Sequence, residues 1–85
     1  TWWDVASDMA CRALGLNPAL WSMFRVRDIE GADKRVTHHI CGVGLHSIRK
    51  SGPRKGQRKW DRKSEREFVI SRADLRAQCE KEGVR

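Results

Sequence analysis

Between Arg49 and Arg66 the chain carries nine basic residues (Arg49, Lys50, Arg54, Lys55, Arg58, Lys59, Arg62, Lys63, Arg66) against only Asp61 and Glu65, a balance of +7 over eighteen residues. The other 67 of the 85 residues hold nine basic and nine acidic side chains, so the whole net charge of +7 belongs to this one stretch. The apolar residues that can build a core lie on either side of it. A chain of this length buries only about 60–65% of its unfolded surface, so every large apolar side chain matters. Four Trp and no Tyr concentrate that burial on a few residues.

Eighty-five residues allow one small domain, spanning 1–85, with the basic segment 49–66 inside it. Charged residues at 34% and a mean hydropathy of −0.71 argue against a membrane span, and 39% apolar residues argue against a purely disordered tail. The longest uncharged runs, 13–24 and 36–48, are broken by histidines, glycines and a proline and fall short of the roughly 18 apolar residues a bilayer requires. The expectation is a soluble chain with no membrane partner. It starts at Thr1 without an initiator methionine, which reads as trimming or as a piece of something longer. Cys11, Cys41 and Cys79 are too few for a disulfide framework, and their odd number points to a reducing, intracellular compartment, cytoplasmic or nuclear.

Thr1 and Asp4 fit an N-cap and N3 pair, followed by Val5, Ala6, Met9, Ala10, Ala13 and Leu14 at helical spacing until Gly15, with Asp4, Asp8, Arg12 and bordering Cys11 on the wet side. Asn17-Pro18 opens a short helical turn through Trp21. Residues 23–29 alternate as a strand, with Phe24 and Val26 on one face and Arg25 and Arg27 on the other. Glu30 to Asp33 supply a turn. Residues 35–41 return as the second strand of a hairpin, Val36, His38 and Ile40 opposed to Thr37, His39 and Cys41. Gly42 and Gly44 end or bulge that strand, and 45–48 continue it or begin another. Residues 67–70 read as a short strand, and Ser71 caps a last helix, with Asp74 at N3, Ile70 against Leu75, Leu75 and Cys79 inward, Arg76 pairing Glu80, and Gly83 at its end. The fold class expected is α+β: helix, β-hairpin, basic excursion, strand, C-terminal helix, with the helices packed on one face of an antiparallel sheet. That order is similar to the double-stranded RNA-binding fold, but no sequence motif of that family is present, and topology alone names no relative.

The basic pairs recur every four residues, at Arg54-Lys55, Arg58-Lys59 and Arg62-Lys63. On a helix they would form one drifting stripe, with Asp61 and Glu65 in ion pairs one turn from Arg58, Arg62 and Arg66; in an extended loop, Gly52, Pro53 and Gly56 would make a flexible tip. Either form presents cations to a polyanion, and each cation that neutralises a phosphate releases a condensed counterion. Trp60 among them either stacks on an unpaired base or anchors the segment to the core. The function expected is a non-catalytic nucleic-acid-binding module, RNA or DNA, using Arg49 to Arg66 electrostatically or by shape, with Arg25, Arg27 and Arg35 widening the patch. The alternatives are an interaction or inhibitor protein whose basic arm binds an acidic protein surface, or a ribonucleoprotein subunit.

His38, Cys41 and His46 have the first intervals of a zinc knuckle, but Ser51 stands where the fourth ligand belongs, and His38 and Cys41 point to opposite faces of a regular strand. The plainer expectation is that His38 is a hydrogen-bonded core residue while His39 and His46 face solvent. Adjacent histidines beside a basic patch also suit a nuclease, yet nothing enforces that geometry: the only Asn, Asn17, precedes every His, and no Gly-x-Ser-x-Gly or phosphate loop exists. Neither catalysis nor a cofactor is implied. Trp2 and Trp3 point in different directions on one helical turn, so one of them is a candidate docking point for a protein partner.

Overall fold

Thr1 caps the first helix as its spacing predicts. Its Oγ1 donates to Asp4 Oδ2 at 3.1 Å, and α1 runs Trp2–Ala13 in the computed structural model, which describes residues 1–84. Gly15, at φ 72, releases the chain from the helix, and a turn over 18–20 leads into β1 (Trp21–Glu30). That turn is helical as expected, the Asn17 carbonyl accepting from the N–H groups of Leu20 and Trp21 at 3.0 Å, and Trp21, which closes it, is also the first residue of β1, paired with Leu45 of β2 (Val36–Ile48). The sheet closes with β3 (Arg58–Ser71) and the chain with α2 (Arg72–Lys81). Ser71 caps α2 by accepting from the Asp74 N–H at 3.1 Å, and Gly83 follows the helix at φ 68. No helix among the described residues is long and apolar enough to cross a membrane.

The three strands are antiparallel in the order β1-β2-β3, and both helices pack on one face of them, giving a small α+β domain. Val5, Ala6, Ala10 and Cys11 of α1 and Leu75 and Cys79 of α2 meet Met23, Cys41, Val43 and Ile70 of the sheet in one cluster. Cys11 is fully buried there, not at the border of the wet side, because α1 lies close enough for its Sγ to reach the Trp21 carbonyl at 3.5 Å.

Three irregularities decide which side chains point inward. Phe24 is an extra residue between the pairs Met23–Val43 and Arg25–Gly42, so Met23 and Val26 both face the helices while Phe24 turns to the opposite face, away from Val26. Of the two sets alternating along β2, the inward one holds His39 and Cys41, and His38 is exposed, the reverse of the core histidine expected. Gly42 and Gly44 do not end β2. The strand runs through both, paired on either side, and β1 side chains take the space over them: a Cβ on Gly42 would lie 2.9 Å from Arg25 Cγ, and one on Gly44 3.4 Å from the Phe24 ring. Across Gly42 the Arg25 guanidinium reaches β3, bonding Glu65 and lying 3.5 Å from Glu67. A second irregularity leaves Thr37 of β2 extra between the pairs Ile29–His38 and Glu30–Val36, and the third is on β3, where residues 62–65 stand opposite the single Gly44.

The domain is elongated, with a radius of gyration of 14.6 Å against the roughly 12 Å of a compact chain of this length. The β2–β3 ladder runs from His38 to Ile48, about 36 Å at about 3.3 Å per residue, and the hairpin tip beyond it brings the longest dimension to 48 Å.

Candidate nucleic-acid interface

Beyond Leu45, the partner of Trp21, β2 has no further ladder partner on β1, and β2 and β3 continue as a two-stranded arm. Ser47 pairs with Lys59 and Ile48 with Arg58, and the tip is closed by Arg49 N–H to Gln57 O and Gly56 N–H to Arg49 O, both at 2.9 Å. Gly52 and Gly56 sit at φ 82 and 90 with nothing near their α-carbons, as a solvent-exposed tip requires. The basic segment is therefore a hairpin tip, 49–57, and the first half of a strand. It is not a helix: β2 supplies backbone partners to residues 58–61, which a helix would have had to satisfy internally.

This changes how the cations are arranged. Strand side chains alternate, so Arg58, beside Trp60, and Lys59 fall on opposite faces, while Arg54 and Lys55 lie in the tip and Arg62 and Lys63 in a bulge, and the charges are spread over the arm instead of forming a stripe. The expected ion pairs of Asp61 and Glu65 with their neighbours are absent, because both acids are engaged elsewhere. Asp61 Oδ1 accepts from the Lys63 N–H at 3.0 Å, and Ser64 Oγ accepts from the Leu45 N–H at 2.8 Å while donating to the Asp61 carbonyl at 2.6 Å. Together they close the bulge that lifts Arg62 and Lys63 out of the ladder. Glu65 is taken by Arg25. Among the described residues none of the nine cations between Arg49 and Arg66 is in an ion pair.

All nine lie on the arm or at its root. Arg66 is the most constrained, its guanidinium carbon 5.2 Å from the centre of the Trp21 ring at the inner end of the arm. Ser47, Arg49, Arg58, Lys59, Arg62 and Lys63 line an open hollow of about 620 Å³ with Trp60 and Asp61. Trp60 is half-buried, on the face without helices, its ring centre 5.6 Å from Phe24 and 5.7 Å edge-on from His46. It anchors the arm to the body of the domain, through a small aromatic cluster outside the main core. Burial, and then the Arg58 charge, lower the His46 pKa, so near neutral pH this ring adds packing and no charge. Arg25 and Arg35 are partly spent on Glu65, Glu67 and Asp33.

His38, Cys41 and His46 are not brought together: His38 is exposed, Cys41 is in the core under the helices, and His46 packs edge-on against Trp60. Of the two indoles on α1, Trp3 packs against the core and Trp2 is 42% exposed. Arg76 and Glu80, expected to pair, form no ion pair with each other. A pairing that sequence reasoning missed is His39 with Asp28, Nδ1 to Oδ1 at 2.7 Å, with His39 only 6% exposed. The two are eleven residues apart on neighbouring strands, and only the register brings them side by side. Comparison with family models, curated proteins and solved structures finds no match to this chain.

Proposed function

We propose that the domain binds nucleic acid through the β2–β3 arm, with Arg49, Lys50, Arg54, Lys55, Arg58, Lys59, Arg62 and Lys63 against the phosphate backbone. The observation that carries this reading is charge segregation: nine cations on or at the root of one projecting ribbon, none in an ion pair among the described residues, attached to a body whose charges cancel. Solubility needs no such segregation, whereas a polyanion rewards it through counterion release. Two features favour a duplex over a single strand. A two-stranded ribbon has the width that the major groove of B-DNA admits. Trp60, held against Phe24 and His46, offers only part of its ring for stacking on an unpaired base.

The test is binding of labelled duplex and single-stranded DNA and RNA across a salt series, for the wild type and for Arg58→Ala/Lys59→Ala/Arg62→Ala/Lys63→Ala. The variant is expected to bind more weakly, with the log–log salt slope shallower by about one for each phosphate no longer neutralised. An unchanged slope would take the arm out of the interface. Absence of binding to every nucleic acid at roughly 150 mM salt would turn the reading toward an acidic protein surface.

A further inference from the structure

α2 packs on β2 and β3 but leaves the far end of β1 uncovered, and an open cavity of about 780 Å³ lies there between α2, the first turn of α1 and β1. It is remote from the arm: His39, in its wall, stands nine residues along β2 from Ile48, roughly 30 Å at 3.3 Å per residue. Its floor is apolar, built from Val26, Leu75 and Val84. Against that floor His39 is a polar group more than nine-tenths buried. Asp28 is the only hydrogen-bond partner of its ring among the described residues, through Nδ1, and no buried side-chain nitrogen or oxygen is left without one, so Nε2 opens to the cavity. With Asp28 accepting at Nδ1, the neutral ring presents Nε2 as an acceptor looking for a donor.

The remaining wall supplies two more kinds of recognition. The exposed Trp2 indole lies 6.2 Å from the His39 ring, with 33° between their planes, and forms one side of the opening. Arg72 and Arg76, one turn apart on α2, reach the cavity without an ion pair among the described residues. Asp28 and Glu80 are also in the lining, two carboxylates against two guanidiniums, so an anion is drawn there by the Arg72–Arg76 pair itself and not by a net charge of the cavity.

We infer that this cavity is a binding site for a small planar organic acid: an aromatic body between the apolar floor and Trp2, an anionic group on Arg72 and Arg76, and a hydroxyl or N–H donor directed to His39 Nε2. This site does not depend on nucleic-acid binding by the arm. The probes are para-hydroxycinnamate, cinnamate without the hydroxyl, and para-hydroxycinnamyl alcohol without the charge, titrated calorimetrically while the nitrogen resonance of His39 Nε2 is followed. The four-alanine arm variant serves as the background, so that the cationic arm does not collect the probe. The hydroxy acid is expected to move the Nε2 resonance and to bind roughly tenfold or more tightly than either partial probe. Arg76→Gln and Trp2→Ala, both exposed positions, should weaken it to a similar degree. No binding at millimolar probe, equal affinity for all three probes, or affinity unchanged in both variants would overturn the site.

Discussion

β2 and β3 form one continuous pair of strands in two different surroundings. Near its C-terminal end β3 pairs Phe68 and Ile70 with Cys41 and His39 under the helices, and the core closes over Cys41, Val43 and Ile70. At its beginning the same ladder pairs Arg58, Lys59 and Trp60 with Ile48, Ser47 and His46, and no helix packs there. The backbone bonding is of the same kind at both ends. What separates them is burial: the covered end removes apolar side chains from water, whereas the arm relies on the Phe24, His46 and Trp60 cluster and a tied-off bulge. A two-stranded ribbon by itself is marginal in water, so the arm is expected to be the less stable end and the freer to adapt to a partner.

The strongest contrast should come from one substitution made at both ends. Ile70 is 3% exposed and Ile48 54% exposed. Ile70→Ala should cost about 2–5 kcal/mol in urea unfolding, and Ile48→Ala no more than about 0.5 kcal/mol. Equal losses would mean that the arm is part of the core. Gly42→Ala comes next, since the added methyl would meet the Arg25 stem at 2.9 Å. A loss of about 1–3 kcal/mol is expected, most of it recovered when Arg25→Ala is added; no recovery would show that Arg25 is not what crowds the site.

A last effect is reached only in alkali and is confined to the covered end. Burial, with the Asp28 charge adding to it, pushes the Cys41 thiol up to about 11, and burial followed by Asp8 raises Cys11. In the unfolded chain such thiols ionise near 9.0. Their contribution is therefore complete below that pH and is lost as pH rises toward 11, at up to about 1.4 kcal/mol per thiol per pH unit. Urea midpoints that stay level from pH 8.5 to 11 would contradict this, as would rapid reaction of the native thiols with a disulfide reagent at neutral pH.

Much of the fold is written locally. Helix ends are legible at Thr1 and Asp4, and at Ser71 and Asp74, because capping involves residues within one turn of each other. The α+β class follows from apolar spacing on either side of the charged stretch. The middle of the chain is harder: Arg58 to Arg66 has a four-residue charge rhythm that suits a helix, and nothing in its own residues discloses that β2 is waiting to pair with it. The cations of the candidate interface were visible in the sequence, but their distribution around a ribbon was not, because it depends on a strand period of two in place of a helical stripe.

The sequence by itself determined where the charge lies, where the helices begin and end, and that a small core must be drawn from both flanks of the basic segment. Only the tertiary structure decided which face of each strand is inside. A bulge of one residue at Phe24 resets the alternation of β1, so Met23 and Val26 both turn toward the helices, and on β2 it is the set of His39, Cys41 and Val43, not that of His38, that faces them. It also decided that Arg25 is paired across Gly42 and that His39 meets Asp28 beside a cavity. Capping and charge are properties of neighbours in the chain. Register and bulges are settled by contacts between strands, and a shift of one residue there exchanges inside for outside.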